Sequence, residues 1–215
     1  LAREITKKKP IIIMRAGGTE SSARAAKSHT ASIAGFNYIY DAMFKQAGVI
    51  KVENEDELFD VVTAFQSIPL PQGDRIGILT EGGGIGVMAA EDCEKQQLKV
   101  PIFDPATTKK LRDMLPSRCS VGNPTDLTDL VTSGDAVTFP CLWTIMEDPN
   151  IDAIILLGGV GASDYFTSLM GMGVNPNIPE SDKEKFQQMI EHLETEELKN
   201  MDITCEKIKK LKKPV

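Results

Sequence analysis

One histidine stands in surroundings that fit chemistry better than packing. His29 lies in a run of small and polar residues, Lys27 to Gly35, between an apolar run and an amphipathic segment that begins near Phe36. Imidazole is a fair nucleophile at neutral pH because its unperturbed pKa is about 6.5. Small neighbours suit a loop that closely approaches a ligand, whereas a core histidine usually has large apolar neighbours. The alternative is a surface-loop histidine without a function.

A glycine turn forms the second candidate site. Gly82, Gly83 and Gly84 follow an apolar run that ends at Thr80, and they precede a segment with helical periodicity. A strand, a glycine turn and a helix N-terminus together are typical of an anion site, because free backbone N–H groups and the positive end of the helix dipole coincide there. The dinucleotide pattern G-x-G-x-x-G fails at Val87, and no G-K-[ST] follows, so neither nucleotide motif is present. A tight turn that needs glycine only for packing is an equal alternative. The predicted inner face of the helix consists of Val87, Ala90 and Cys93.

A third polar loop runs from Ser120 to Leu127. It carries the amide of Asn123 and the carboxylate of Asp126 beside a glycine and a proline. These residues could form an active-site or interdomain loop, and a purely structural turn is an equal alternative. The remaining histidine, His192, lies on a charged helical segment and is interpreted as a solvated residue.

Composition excludes several classes of function. The formal net charge of −7 disfavours nucleic acid as the main partner, and no apolar run approaches the roughly 20 residues of a membrane span. The four cysteines form no C-x-x-C pair and only two histidines occur, so we predict no metal site, reduced thiols and a cytoplasmic location. The start lacks a signal-peptide pattern and an initiator Met, and we expect a piece of a longer polypeptide.

Strands and helices alternate along the chain. The apolar runs at 11–14, 75–80 and 151–157 are typical of buried parallel strands, and a glycine turn follows each of them. We therefore predict an α/β fold with mainly parallel sheets, divided by the proline-rich linker 69–74 into domains 1–68 and 75–215. Lys99 to Phe103 is predicted as an edge strand because Pro101 cannot donate to a ladder. Ligands of such sheets gather beyond the carboxyl ends of the strands, where His29 and the glycine turn are expected.

Several ordered motifs resemble one enzyme family. The segment from Lys9 to Gly35, with its K-P strand, A-R-A-A run and S-H-T motif, is similar to the phosphohistidine segment of NDP-forming acyl-CoA synthetases, the relatives of succinyl-CoA synthetase. Tyr40–Ile50, Glu57–Asp60, the glycine turn and Ser120–Asp126 match further family motifs, so the resemblance covers about residues 1–160. It implies flavodoxin-like domains with helices on both sheet faces. Residues 1–68 would be the C-terminal part of the phosphohistidine-bearing domain, and 75–215 a second CoA-ligase domain truncated at its C-terminus.

The resemblance also implies a reaction. Such enzymes interconvert acyl-CoA, phosphate and ADP with a carboxylic acid, CoA and ATP through a phosphohistidine. Carried over, His29 is the phosphoryl carrier, Ser28 and Thr30 are its phosphate-binding neighbours, and the Gly82-Gly83-Gly84 turn is a phosphate cradle. CoA, ADP or ATP, phosphate and Mg would be substrates or activators of the full enzyme, and none is expected to bind tightly to this chain. The sequence departs from the family at Ala31 and Ile33, where Gly and Leu are usual.

The same resemblance implies missing partners. The family also has a CoA-binding domain and ATP-grasp domains, on the same polypeptide or on a partner subunit, and we expect this chain alone to be inactive as an acid–thiol ligase. Exposed apolar edges at the chain ends would also be compatible with a homo-oligomer. The alternative function is a catalytically silent, synthetase-like regulatory or ligand-binding module.

Overall fold

The computed structural model describes residues 1–15, 21–22, 37–128, 130, 137–161, 163–164, 167–168 and 180–215. The chain divides into two compact units, Leu1–Ser67 and Ile68–Val215, which are described separately. The predicted linker, 69–74, lies in the first residues of the second unit.

The elements alternate as predicted. The first unit contains α1 (Ala2–Ile5), β1 (Ile12–Met14), α2 (Asn37–Ala47), β2 (Ile50–Val52) and α3 (Glu55–Ser67). The second contains β3 (Ile76–Thr80), α4 (Gly83–Lys95), α5 (Pro105–Met114), β4 (Thr125–Asp126), α6 (Thr138–Met146), β5 (Ala153–Leu157) and α7 (Glu180–Leu211). Within the described ranges, no helix combines the length and the apolar character that crossing a membrane requires.

The first unit contains a parallel pair of strands. β1 pairs with β2 in the register Ile12↔Ile50, and helix α2 precedes β2. Helix α2 ends where Gly48 adopts a φ of +68°, a conformation that glycine accepts without steric cost. The hydroxyl of Thr6 donates a hydrogen bond to the Ala47 carbonyl at 2.6 Å, and this bond connects the residue after α1 to the last residue of α2.

The second unit contains a parallel sheet with the order β4-β3-β5. Every residue of the central strand, β3, is buried, as its continuous apolar run predicts. Ile76 and Ile78 point to one face, where they pack with Cys93 and the half-buried Ala89 and Ala90 of α4. The opposite face carries a larger core from α5, α6 and the end of α7. Its members include Leu79, Leu111, Leu142, Ile145 and Ile154, with Leu211 packed against them. Helices therefore cover both faces of this sheet, and the predicted α/β fold is confirmed.

Two local predictions are wrong. Residues 99–103 form no edge strand: only Lys99 makes an isolated bridge, to Arg75. Beyond it, the side-chain amide of Asn123 donates to both Ile76 O and Pro101 O, at 2.8 and 2.9 Å, and so stands where strand pairing would continue. Val87 is also not on the inner face of α4, because it is 67% exposed, whereas Gly86 is buried.

The cysteines differ in their access to solvent. All four are free; Cys93 lies in the smaller core, Cys119 and Cys141 lie in the larger one, and Cys205 on α7 is exposed. Burial raises the pKa of the Cys141 thiol to about 12, with a smaller contribution from Cys119. These core thiols therefore behave as small apolar side chains.

Candidate functional site

The predicted phosphohistidine loop lies outside the described residues, as do Ser28, His29 and Thr30 themselves. The structure describes the elements on either side of it. Strand β1 ends at Met14 and helix α2 begins at Asn37, so His29 belongs to a connection between the carboxyl end of a parallel strand and a helix. The expected strand before His29 and the expected helix after it are confirmed, and the roles of Ser28, His29 and Thr30 stay predictions.

The glycine turn at the end of β3 has the geometry of a helix N-terminus open to solvent. Gly82 is the N-cap of α4, in an extended conformation, and its carbonyl accepts the Gly86 N–H at 3.1 Å. The N–H groups of Gly83, Gly84 and Ile85 precede this first helical hydrogen bond, and all three residues are exposed. The turn therefore presents backbone donors and the positive end of the helix dipole at one place.

A hydrogen bond to the hydroxyl of Thr80 removes the Gly82 amide from the predicted phosphate cradle. Its Oγ1 accepts the Gly82 N–H at 3.1 Å and donates to the Gly82 carbonyl at 3.0 Å. Because the Gly82 amide is engaged in this turn, the donors available to an anion are those of Gly83, Gly84 and Ile85. The sequence did not indicate Ile85, because this residue would contribute its backbone N–H, a group that does not depend on the type of side chain.

The carboxyl ends of the three strands are linked at this edge of the sheet. The Leu127 N–H donates to Thr80 O at 2.8 Å, and the Glu81 N–H donates to Leu157 O at 3.2 Å. The segments that follow β3, β4 and β5 consequently converge beside the glycine turn. Such an edge is where open parallel sheets bind their ligands.

The two predicted residues of the 120–127 loop have different surroundings. Asp126 lies beside the glycine turn: a Cβ added to Gly83 would lie 2.8 Å from its Oδ2, while its Oδ1 accepts the Thr128 N–H at 2.8 Å. Asn123 points into the fold, where its amide makes three hydrogen bonds to backbone atoms of Ile76, Ile78 and Pro101. The structure thus brings Asp126 to the candidate site and gives Asn123 a bracing position behind it.

Glu81 is a site residue that sequence reasoning missed. It stands between β3 and the N-cap of α4, and the glycines that follow β5 cover its carboxylate. Its Oε1 is buried and has no hydrogen-bond partner among the described atoms. Burial raises the pKa of Glu81, and a hydrogen bond from the Gly159 backbone opposes this effect. The sequence signal was a carboxylate placed directly before an anion-binding turn.

The arrangement can bind a small anion through backbone donors. In the described part of the chain, no three His, Cys, Asp or Glu side chains are placed to hold a metal ion together. The nearby carboxylates, Glu81 and Asp126, oppose an anion, so its affinity depends on how far their charges are neutralised or turned away.

Comparisons with known proteins agree with the predicted family. Residues 1–65, which include His29, match the model of the succinyl-CoA ligase like flavodoxin domain. The chain is 40% identical over 157 residues to the alpha subunit of the ADP-forming acetate–CoA ligase II of Pyrococcus furiosus, covering 73% of this chain and 34% of that subunit. It is 42% identical over 127 residues to the ADP-forming acetate–CoA ligase of Methanocaldococcus jannaschii, covering 59% of this chain and 18% of that protein.

A solved structure supports the same assignment. The dinucleotide forming acetyl-coenzyme A synthetase 1 of Candidatus Korarchaeum cryptofilum, in complex with phosphate and ADP, is 28% identical, with a TM-score of 0.63 over 81% of this chain and 39% of that one. The chain thus covers between about a fifth and two fifths of the length of each of these three relatives. The resemblance seen in the sequence is confirmed: the chain is similar to the ADP-forming acetate–CoA ligases over most of its length, and residues 1–65 match the succinyl-CoA ligase like flavodoxin domain.

Proposed function

We propose that this chain is the phosphoryl-carrying ligase portion of an ADP-forming acyl-CoA synthetase. The observation that supports the proposal best is the family match over residues 1–65, because it includes His29 in the connection between β1 and α2. An exposed helix N-terminus in the second unit supplies a second element that such a reaction needs, a site for a phosphoryl anion.

The proposed reaction has three balanced steps. Phosphate attacks the thioester carbon of acyl-CoA, the carbon–sulfur bond breaks, and acyl phosphate and CoA result. The unprotonated nitrogen of His29 then attacks phosphorus, and the carboxylate leaves with the electron pair of the broken phosphorus–oxygen bond. Finally, the terminal phosphate oxygen of ADP attacks the phosphohistidine, which gives ATP and free imidazole. Positioning and charge stabilisation dominate such transfers, and the bond chemistry demands little of the protein.

The residues of the chain have distinct parts in this proposal. His29 carries the phosphoryl group, and Ser28 and Thr30 bind it as loop neighbours. The N–H groups of Gly83 and Gly84 stabilise the charge of the phosphoryl oxygens at the start of α4. The attack on phosphorus needs an unprotonated imidazole nitrogen, and unperturbed imidazole is largely neutral at pH 7.

The remaining functions belong to protein outside this chain. We propose that a CoA-binding domain and ATP-grasp domains, on the same polypeptide or on a partner subunit, bind CoA and the Mg–nucleotide. Of the two ligases described above, that of Pyrococcus furiosus is named as an alpha subunit and that of Methanocaldococcus jannaschii carries no subunit name, which is compatible with either organisation. The chain alone would then be inactive, and the complete enzyme would work in the cytoplasm.

Labelling of the two histidines tests the proposal. The complete protein, with its nucleotide-binding domains or subunit, is incubated with Mg–ATP labelled in the terminal phosphate, and acid-labile, base-stable label is mapped. We expect label on His29 and its loss in His29→Ala. His192→Ala is the matched control, because the second of the two histidines is exposed on α7 and should leave labelling unchanged. An unlabelled protein that is folded and binds nucleotide would instead favour the silent regulatory or ligand-binding module.

A further inference from the structure

One face of the long helix α7 is both apolar and exposed. The other face packs on the second unit, where Thr204 is buried and Leu211 lies against the larger core. On the solvent side, Leu198 and Met201 are 57% and 40% exposed, and Cys205 is exposed as well. Apolar side chains that gather on one exposed face of a helix indicate a surface that another protein covers.

These side chains belong to a continuous stripe along the helix. Leu198, Met201 and Cys205 are spaced by three and then four residues, the spacing that keeps side chains on one helix face. The same spacing continues outward, because Glu194 lies four residues before Leu198 and Lys209 lies four residues after Cys205. These five residues, the α7 stripe, are therefore apolar in the middle, acidic at one end and basic at the other.

The α7 stripe is complementary to itself when one copy is reversed. Glu194 and Lys209 lie at equal distances on either side of a point just after Met201, and Leu198 and Cys205 do the same. A second, antiparallel α7 related by a two-fold axis at that point places each Glu194 beside Lys209 of the other copy. The same axis brings the apolar residues of the two copies together. A two-fold axis repeats every contact, so one surface serves both partners.

The charges at the two ends of the stripe are available to a partner. Glu194 and Lys209 are exposed, and within the described part of the chain neither takes part in an ion pair. Asp202 follows Met201 near the two-fold axis, where two copies bring their carboxylates close together and so oppose association. A contact between single helix faces is also smaller than the roughly 1,200 Å² of stable interfaces, so the association is weak.

We propose that this chain forms a weak symmetric dimer through the α7 stripe, with the two helices antiparallel. A second copy is the partner that the stripe fits, because its acidic and basic ends match each other in the reversed direction. The inference goes beyond the proposed function and does not depend on the phosphoryl carrier.

Sedimentation equilibrium of the full chain in a reducing buffer tests for the dimer without a variant. We expect a dissociation constant between about 10 µM and 1 mM, the range of small interfaces. The dimer should be weaker in about 1 M salt, where the Debye length is only about 3 Å. A chain that is entirely monomeric at about 1 mM in low salt overturns the proposal.

Charge reversal tests which residues meet. Glu194→Lys and Lys209→Glu should each raise the dissociation constant about tenfold, because two weak attractive contacts per dimer become repulsive. An equimolar mixture of the two variants should associate like the unsubstituted chain, since each end of one variant then meets its opposite charge on the other. Asp202→Asn should tighten the dimer. Lys199→Glu is the matched control, because it reverses an exposed charge on a neighbouring face of the same helix. If the mixture fails to associate, or if Lys199→Glu acts like Lys209→Glu, the proposal is wrong.

Cross-linking tests the antiparallel arrangement. In a Cys205→Ser background, Met201→Cys places one thiol per copy next to the two-fold axis, so mild oxidation should yield a disulfide-linked dimer. Lys199→Cys in the same background lies outside the stripe and should remain largely monomeric. Unchanged tryptophan fluorescence shows that both variants are folded. Equal yields of linked dimer from the two variants would contradict the proposed contact.

Discussion

Replacing Asn123 by alanine is expected to destabilise the second unit strongly. Its Oδ1 accepts the Ile78 N–H at 2.9 Å, and its Nδ2 donates to Ile76 O and Pro101 O at 2.8 and 2.9 Å. Ile76 and Ile78 are 5% and 0% exposed, so in the alanine variant their freed polar atoms have little access to water. A buried polar atom left without its partner costs about 1–3 kcal/mol.

The magnitude follows from the surroundings of the three bonds. Two of them end on the buried strand β3, and the third ends on the half-buried Pro101, where water can replace the lost donor in part. We therefore expect Asn123→Ala to lower the free energy of unfolding by about 3–5 kcal/mol. For a unit of this size, that loss corresponds to a melting temperature lower by roughly 10 °C.

Urea unfolding followed by tryptophan fluorescence measures this effect in the second unit alone. Trp143 is the only tryptophan of the chain and lies in α6, within that unit. Asn150→Ala is the matched control, because its amide makes one exposed hydrogen bond, to Ile102 O at 3.3 Å, and should cost about 1 kcal/mol or less. If Asn123→Ala and Asn150→Ala unfold at the same urea concentration, the bracing role of Asn123 is refuted.

An aspartate at the same position tests the hydrogen-bond directions. Asn123→Asp keeps the acceptor for the Ile78 N–H but replaces the donor that faces Ile76 O and Pro101 O with a second acceptor. At pH 7 we expect a loss at least as large as that of the alanine variant, since a buried charge is added. Part of the loss should be recovered on acidification, when the carboxyl group regains a donor. A pH-independent loss would contradict this account.

Three further variants test the packing at the glycine turn and the salt bridge between Arg75 and Asp152. A Cβ on Gly86 would lie 2.8 Å from the Thr80 Cγ2, whereas one on Gly84 would meet no atom within 4 Å. Chemical unfolding should therefore show Gly86→Ala to be less stable by about 1–3 kcal/mol and Gly84→Ala to be unchanged or up to about 1 kcal/mol more stable, and equal effects would refute the packing argument. The hydrogen bond from Arg75 is the main cause that holds the pKa of Asp152 below the ordinary value of an aspartate. The stability from this pair is therefore present above that ordinary pKa and is lost as the pH falls through the lower, folded-state pKa. Asp152→Asn should accordingly unfold more easily at pH 7, by about 1–3 kcal/mol, and the difference should shrink in acid; a difference that is constant with pH would contradict it.

Local sequence signals were sufficient for most of the elements and for the direction of the strands, but they did not indicate the short strand β4 within the predicted loop 120–127. The continuous apolar runs indicated buried parallel strands, and β3 is buried along its whole length. These features depend on residues adjacent in sequence, so their physical causes can be read directly. The alternation of strands and helices then favoured parallel pairing, because parallel strands need a crossover between them.

Contacts between distant residues account for what could not be predicted. The edge strand at 99–103 fails because Asn123, more than 20 residues away, occupies the hydrogen-bonding positions beside β3. Helix α4 turns Gly86, rather than Val87, toward the sheet, because a residue without a side chain allows the closest approach. Hydrophobic periodicity assigns no weight to glycine and so misjudges such a face.

The candidate site, too, could be predicted only where its residues are adjacent in sequence. The anion turn was evident in the sequence because the strand, the glycines and the helix are contiguous. The structure adds that the Gly82 N–H donates a hydrogen bond to the Thr80 hydroxyl. Glu81 escaped notice because its cover comes from Gly158 and Gly159, far along the chain. His29 and its neighbours remain predictions from the motif and the family match.

The unequal burial of the cysteines makes the chain suited to selective chemical labelling. A maleimide reagent added to the native protein at neutral pH should attach a probe at the exposed Cys205, on the long helix α7. Cys119 and Cys141 would react only when the larger core opens, since burial both blocks their access and keeps the Cys141 thiol protonated. The number of attached labels, followed over time by mass spectrometry, would therefore separate surface reaction from opening of the core in the unmodified sequence.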